Sequence, residues 1–217
     1  METGQVAIVR GEEELFERTA HLFAAAGEVV CAANDLHTWA ATRPRPEIAT
    51  GVAAHHRAGV RVRKLYRPGV LLDPSSAQHL AEIKRAGADI RITPEDVNET
   101  IILDRRVAIL AGDLADGRRS YSVVSQPEVV QGVSSLFEAA WRSSVELAVY
   151  DAQLAELRSL APRVLELLAS GGKDETAARS LGLGVRTYRR RVAELMAALG
   201  AESRFQAGVR ARELGLV

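Results

Sequence analysis

The hydrophobic period of the chain changes once, at Pro127, and that change limits the fold more than any other feature. Before it, apolar runs of about six residues alternate with segments of about twelve that repeat at helical spacing. Beyond it only three- and four-residue steps persist. In order, the pattern predicts a strand at 5–10 and an amphipathic helix at 11–26, with Leu15, Thr19, Leu22 and Phe23 on one side. Acidic residues fill that helix's first turn, where the helix dipole favours them. A buried strand at 28–34, a loop at 35–46 broken by Pro44 and Pro46, and a helix at 47–58 follow. The run 60–66 alternates apolar with basic residues and reads as a strand, 68–74 as a loop and 75–86 as a helix. Strands are expected at 89–93, at 99–103 and 107–111 hinged on Asp104-Arg105-Arg106, and at 120–124. This alternation predicts an α/β domain with a mostly parallel sheet, helices on both faces, and an antiparallel end where the turns are short.

After Pro127 a single helix is expected over 128–157, with Phe137, Trp141, Val145, Ala148, Ala152 and Ala155 recurring on one side. At about 1.5 Å per residue it would be roughly 40 Å long, too long to serve only as a sheet cover. Its second half would connect two domains or lie against a partner chain. A boundary at 159–161 precedes a smaller helical unit, with Pro162 suited to a first helical turn. There a helix at 175–181 capped by Asp174, a glycine-punctuated turn and a second helix from about Val185 follow one another. Tyr188, Val192 and Leu195 (or Met196 and Leu199) give the second helix one apolar face, while Arg186, Arg189 and Arg190 lie on its other faces. A helix-turn-helix sets the N-terminal part of its second helix in the major groove, where cations meet phosphates and base edges. Three arginines alone would be a solvated helix face; the two-helix frame around them favours DNA. A last helix at 203–214 presents Phe205, Val209 and Leu214 to a core or to a dimer mate.

Of 217 residues, 47% are hydrophobic and 26% charged, which calls for packed cores and excludes wholesale disorder. The formal net charge of zero hides an asymmetry. Residues 159–217 hold ten Lys/Arg and six Asp/Glu, a net of +4, and the remainder carries −4. A basic tail on an acidic body fits nucleic-acid contact. The single cysteine, Cys31, sits in an apolar run and reads as core. The acidic N-terminus does not look like a secretory leader, and no apolar run approaches the roughly 20 residues of a membrane span, so a cytoplasmic protein without membrane contact is expected.

Four blocks at the C-terminal end carry a resemblance: 164–171 (VLELLASG), 177–183 (AARSLGL), 185–192 (VRTYRRRV) and 199–207 (LGAESRFQA). Their order and spacing resemble the LuxR/FixJ/NarL type of four-helix DNA-binding domain found in bacterial regulators. Three departures stand out: the opening segment is shortened to Leu160-Ala161-Pro162-Arg163, Gly184 replaces the usual Ser or Thr cap, and Glu175-Thr176 replace a common Lys-Glu pair. The resemblance implies double-stranded DNA as partner, Arg186, Arg189 and Arg190 as groove contacts, Thr187 and Arg191 as backbone contacts, and Lys173 as a phosphate contact. It also implies a homodimer, with Val209 and Leu214 of the last helix at the contact.

The N-terminal part carries no complete catalytic signature: no Gly-x-Gly-x-x-Gly, phosphate loop, Gly-x-Ser-x-Gly or metal-spaced Cys/His cluster. His21, His37, His55, His56 and His79 do not form a metal-gripping pair, and no metal or cofactor is expected. The strand order and the run 97–110 resemble the phospholipase-D-like fold, to which regulatory domains of the TrmB sensor type are related. The enzymes carry His-x-Lys-x-x-x-x-Asp. With Asp104 at the final Asp, Glu99 falls at the Lys and Val97 at the His. Nucleophile and cation are both missing, so a non-catalytic relative is expected and no catalytic residue is assigned. That fold would put a ligand pocket at the carboxyl ends of the strands, near Asn34, Asp35, His37, Trp39, Arg67 and Thr93. Trp39 is either a ligand lid or a packing residue over the sheet edge, and Asp104 is read as a turn residue.

The reading is therefore an α/β, phospholipase-D-like regulatory domain over 1–132, a connecting helix over 133–158, and an all-α helix-turn-helix domain over 159–217. The function expected is a homodimeric, sequence-specific transcriptional regulator and not an enzyme, responsive to a small-molecule or protein effector. A receiver-like response regulator and a DNA-tethered phospholipase-D-like enzyme are the alternatives.

Overall fold

The computed structural model describes residues 6–36, 39, 59–115 and 118–217. The helix expected at 47–58 lies outside them. The described elements are β1 (Val6–Arg10), α1 (Glu12–Ala25), β2 (Glu28–Ala33), β3 (Arg61–Tyr66), a 3-10 turn (Pro68–Leu71), α2 (Pro74–Arg85), β4 (Asp89–Ile92), β5 (Thr100–Leu103), β6 (Val107–Ala115) and β7 (Arg118–Val124). Then come α3 (Pro127–Ser143), β8 (Val145–Glu146), α4 (Leu147–Ala169), α5 (Asp174–Ser180), α6 (Val185–Leu199) and α7 (Arg204–Glu213).

One sheet of order β1-β7-β6-β5-β2-β3-β4-β8 results. Among the described residues only β2–β3 and β3–β4 are parallel, and the other five pairings are antiparallel. The sheet is therefore mixed and not mostly parallel. Short connections leave no alternative for β5–β6 and β6–β7, because parallel neighbours need a crossover that the three and two residues between these strands cannot supply. The same pairings exclude a receiver-type sheet, which is parallel throughout.

Helices pack on both faces. On one, Val30, Ala32, Leu65, Ile102 and Val124 pack under Val130, Phe137 and Trp141 of α3. Arg63 of β3 lies 5.3 Å from the Phe137 ring centre and 5.4 Å from that of Trp141, and its fork holds Glu138 at 2.7 Å and 3.2 Å. Arg91 also lies 5.0 Å from the Trp141 ring centre. Cation–π contacts let two basic strand residues lie under a helix without being stranded there. The guanidinium of Arg63 holds the Glu138 carboxyl below its usual range. On the opposite face Leu15 of α1 and Leu80 of α2 join Tyr66, Ile90 and Ile92, and this core continues without interruption into Leu157, Val164 and Leu195 of the C-terminal helices.

The single helix expected over 128–157 is two helices separated by an edge strand. The Ser143 and Ser144 hydroxyls donate to the carbonyls of Ala140 and Trp141, at 3.1 Å and 2.7 Å, which satisfies the last turn of α3 from side chains. Val145 and Glu146 then pair with Ile92 and Arg91, covering the free edge of β4. Periodicity misses the break because Trp141 and Val145 keep the helical step through it. α4 restarts at Leu147 and runs unbroken past 159–161, with Pro162 inside it rather than in a first turn.

Asp104 is a turn residue. It has φ 50° in the β5–β6 hairpin, and its Oδ1 accepts from the backbone N–H of Gly27 at 2.9 Å and of Glu28 at 2.7 Å. Asp104→Ala is expected to lower unfolding free energy by about 1–2 kcal/mol in urea titration. Asp104→Asn, which tolerates the left-handed backbone and keeps one acceptor, should lose less.

Candidate nucleic-acid interface

The turn between α5 and α6 is built by glycine. Gly182 has φ +67°, and Leu183 N–H reaches back to the Ala178 carbonyl at 2.9 Å, closing α5. Gly184 caps α6 by backbone alone, its carbonyl accepting from Tyr188 N–H at 3.0 Å. Tyr188, Val192, Leu195, Ala198 and Leu199 are buried, as the spacing requires, against Ala177 and Ala178 of α5. Small residues at that crossing let the two helices approach closely. Gly200, with φ 64°, ends α6 in the left-handed region.

Burial of that face leaves the arginines in three different situations. Arg186 is exposed and makes no ion pair among the described residues. Arg190 is 63% exposed and, among the described residues, its one ion pair is with Glu194, one helical turn on, at 3.6 Å. Arg189 is 59% exposed but tied to Asp174 at 2.7 Å, with Glu175 at 3.6 Å. Arg191 is set apart: it is 12% exposed and held by Glu156 of α4 and by Glu194 at 2.8 Å. It joins α6 to α4 inside the chain, which leaves it ill placed as a backbone contact. Thr187 is half-buried, and Lys173 is exposed immediately before α5.

Sequence reasoning missed Asp174 as a hub. Expected only as a helix cap, it opens α5, and its two oxygens take Arg189 at 2.7 Å and Arg204 of α7 at 2.8 Å. These hydrogen bonds, Arg189 first, hold its carboxyl below the usual range. One carboxylate thus links α5, α6 and α7, a tertiary coincidence that no spacing announces.

The C-terminal helices also rest on the segment after β3. A Cβ added at Gly69 would come within 2.9 Å of Leu214 Cδ1 and 3.4 Å of the Ala198 carbonyl oxygen. Leu214 is therefore used inside the chain, whereas Phe205 and Val209 stand 83% and 43% exposed. Arg158 of α4 donates to the Leu71 carbonyl and pairs with Asp151.

The candidate ligand residues separate. Asn34 follows β2; its N–H donates to Glu99 Oε1 at 3.2 Å, and Glu99 pairs with Arg119 at 2.7 Å. Asp35 is half-buried beside it, and His37 lies outside the described residues. Trp39 takes the packing role: it is 6% exposed, its Nε1 donates to the Ala32 carbonyl at 3.1 Å, and its ring lies 5.8 Å from Tyr121. Thr93 is fully buried. Arg67 points away towards α6: it is 13% exposed, pairs with Asp96, donates to the Pro94 carbonyl at 3.2 Å, and fills the space where a Cβ on Gly200 would be.

No family model matches the chain. A curated relative, the bialaphos biosynthetic pathway regulatory protein of Streptomyces hygroscopicus, is 34% identical over 161 residues, which is 73% of this chain and 62% of the relative. The chain thus spans less than two thirds of that relative's length. Among solved structures, the phospholipase D family member Nuc from Salmonella typhimurium aligns with a TM-score of 0.50 and 14% identity, over 65% of this chain and 98% of its own. NucT from Helicobacter pylori aligns with a TM-score of 0.52 and 10% identity, over 66% and 99%. TrmBL2, an archaeal chromatin protein, aligns with a TM-score of 0.49 and 16% identity, over 65% of this chain and 55% of its own. The α/β part thus has the phospholipase-D-like fold, and the chain is similar in sequence to a regulatory protein.

Because the folded pKa of Asp174 is depressed, its pairs stabilise the protein above the unfolded-state value of about 3.9. That contribution is lost as pH falls through the lower folded value. Asp174→Asn should therefore be less stable than the parent at pH 7, and the gap should close with acidification below about pH 4. Thermal melts of both proteins across that range check it.

Proposed function

We propose that the protein is a homodimeric, sequence-specific DNA-binding transcriptional regulator with a LuxR-type helix-turn-helix and a non-catalytic, effector-sensing α/β domain, acting in the cytoplasm. One observation carries the reading. The first turns of α6 present Arg186 and Arg190 to solvent with little competition from carboxylates, while the opposite face of the same helix is locked in the core. Arginine in that position can pair bidentately with guanine O6 and N7, worth about 1–3 kcal/mol of base discrimination. Arg189 reaches DNA by exchanging Asp174 and Glu175 for phosphate, and Lys173 adds a phosphate contact at the start of α5. The similarity to a regulatory protein supports the same reading.

The α/β domain is read as non-catalytic because Glu99, at the position where the resemblance calls for a lysine, is occupied with Arg119 and the Asn34 N–H. Sensing is assigned to the carboxyl ends of the strands, since Arg67 at the end of β3 abuts Gly200 at the end of α6. A ligand that displaced Arg67 would act on the seat of the DNA-reading helix.

Arg186→Ala/Arg190→Ala is expected to weaken binding to a defined operator by at least about tenfold and to lower the slope of log K against log salt by about one per lost phosphate contact. Fluorescence anisotropy at several salt concentrations measures both. Unchanged affinity and slope would refute the assignment of α6 as the reading helix.

A further inference from the structure

The face of the α/β part opposite the C-terminal helices carries apolar side chains without cover. Ile8 and Val6 of β1 are 66% and 54% exposed, and Leu136 and Val129 of α3 are 66% and 38% exposed. These belong to one surface. Val6 pairs with Val124, which lies under α3, so Val6 and Ile8 stand on the α3 side of the sheet. On α3, Glu138 turns towards Arg63 of β3, so Val129 and Leu136 turn the other way, towards β7 and β1. β1 is also the last strand of the sheet on that side, and no proline or charge blunts it between Val6 and Val9.

Along the outermost line of α3, four- and three-residue steps run Glu128, Gly132, Ser135, Ala139, Arg142. The two ends are opposite charges, both exposed and neither in an ion pair among the described residues. Everything between them is small and uncharged.

We propose that this face joins two copies of the chain about a two-fold axis that crosses α3 near Ser135. Such an axis sets the two α3 helices antiparallel. Glu128 then lies beside the partner's Arg142, and Arg142 beside the partner's Glu128, so the pattern is complementary to itself. Because the axis lies in the contact plane, the apolar flank of one helix meets the apolar flank of the other. Leu136 and Ile8 are thereby withdrawn from water together. Gly132 has nothing within 4 Å of an added Cβ, and the small residues around it allow the axes to approach to about 8 Å. A second copy fits better than an unrelated partner because both the charge order and the apolar flank are satisfied by the same surface rotated by half a turn. The contact uses no residue of α6 or α7, so it stands or falls independently of DNA binding.

Sedimentation velocity of the full chain without DNA tests this. The parent protein should be dimeric, and Leu136→Glu should be monomeric. Glu128→Arg and Arg142→Glu should each weaken the dimer at least about tenfold at low salt, and the double variant should return to within about threefold of the parent. Both charged sites are exposed, so these reversals test the contact even if Leu136→Glu fails to fold. A monomeric parent overturns the proposal, as does a dimer that survives Leu136→Glu or a double variant no tighter than the singles. Loss of the dimer in Phe205→Glu but not in Leu136→Glu would also overturn it and move the contact to α7.

Discussion

The arrangement depends on the burial of Tyr188, Val192 and Leu195, which allows α6 only one rotational setting. A helix buries one stripe, and the choice of stripe decides what the other faces show. With those three residues inward, Arg186 and Arg190 must face out, and Arg191 must turn back towards Glu156 of α4. Polar contacts then refine what burial imposes. Asp174 gathers Arg189 and Arg204, so that α5, α6 and α7 are held by one carboxylate as well as by their core.

That core does not stop at α5, α6 and α7. It runs through Leu157 and Val164 into Ile90 and Ile92 beneath the sheet, and the 3-10 turn after β3 is pressed against Ala198 and Leu214 at Gly69. The two parts of the chain therefore share packed surface in addition to a covalent connection. At the strand ends Arg67 lies directly against Gly200, the residue that closes α6. The connecting helix expected over 133–158 is replaced by the end of α3, a short edge strand and a helix that belongs to both parts.

The opposite face follows a different logic. Arg63 and Arg91 are strand cations that the aromatic rings of Phe137 and Trp141 make compatible with burial, and Glu138 neutralises one of them. α3 is thus clamped from beneath, and its outer line is left uncharged between Glu128 and Arg142.

Much of this was legible in the chain before folding. The strands at 28–33, 61–66, 89–92 and 118–124, the helices at 12–25, 74–85 and 185–199, the apolar stripe of α6 and the turn role of Asp104 all follow from local periodicity, capping and backbone preference. Those are short-range effects that a sequence carries explicitly. Tertiary structure alone decided which strands pair in parallel, where the run after Pro127 breaks, that Trp39 packs beside Tyr121, and that Arg191 faces α4 while Arg190 faces solvent. The reason is common to all four: each depends on which distant surface arrives opposite, and β4's open edge, Tyr121 and Glu156 lie far in sequence from Val145, Trp39 and Arg191, where no spacing rule reaches.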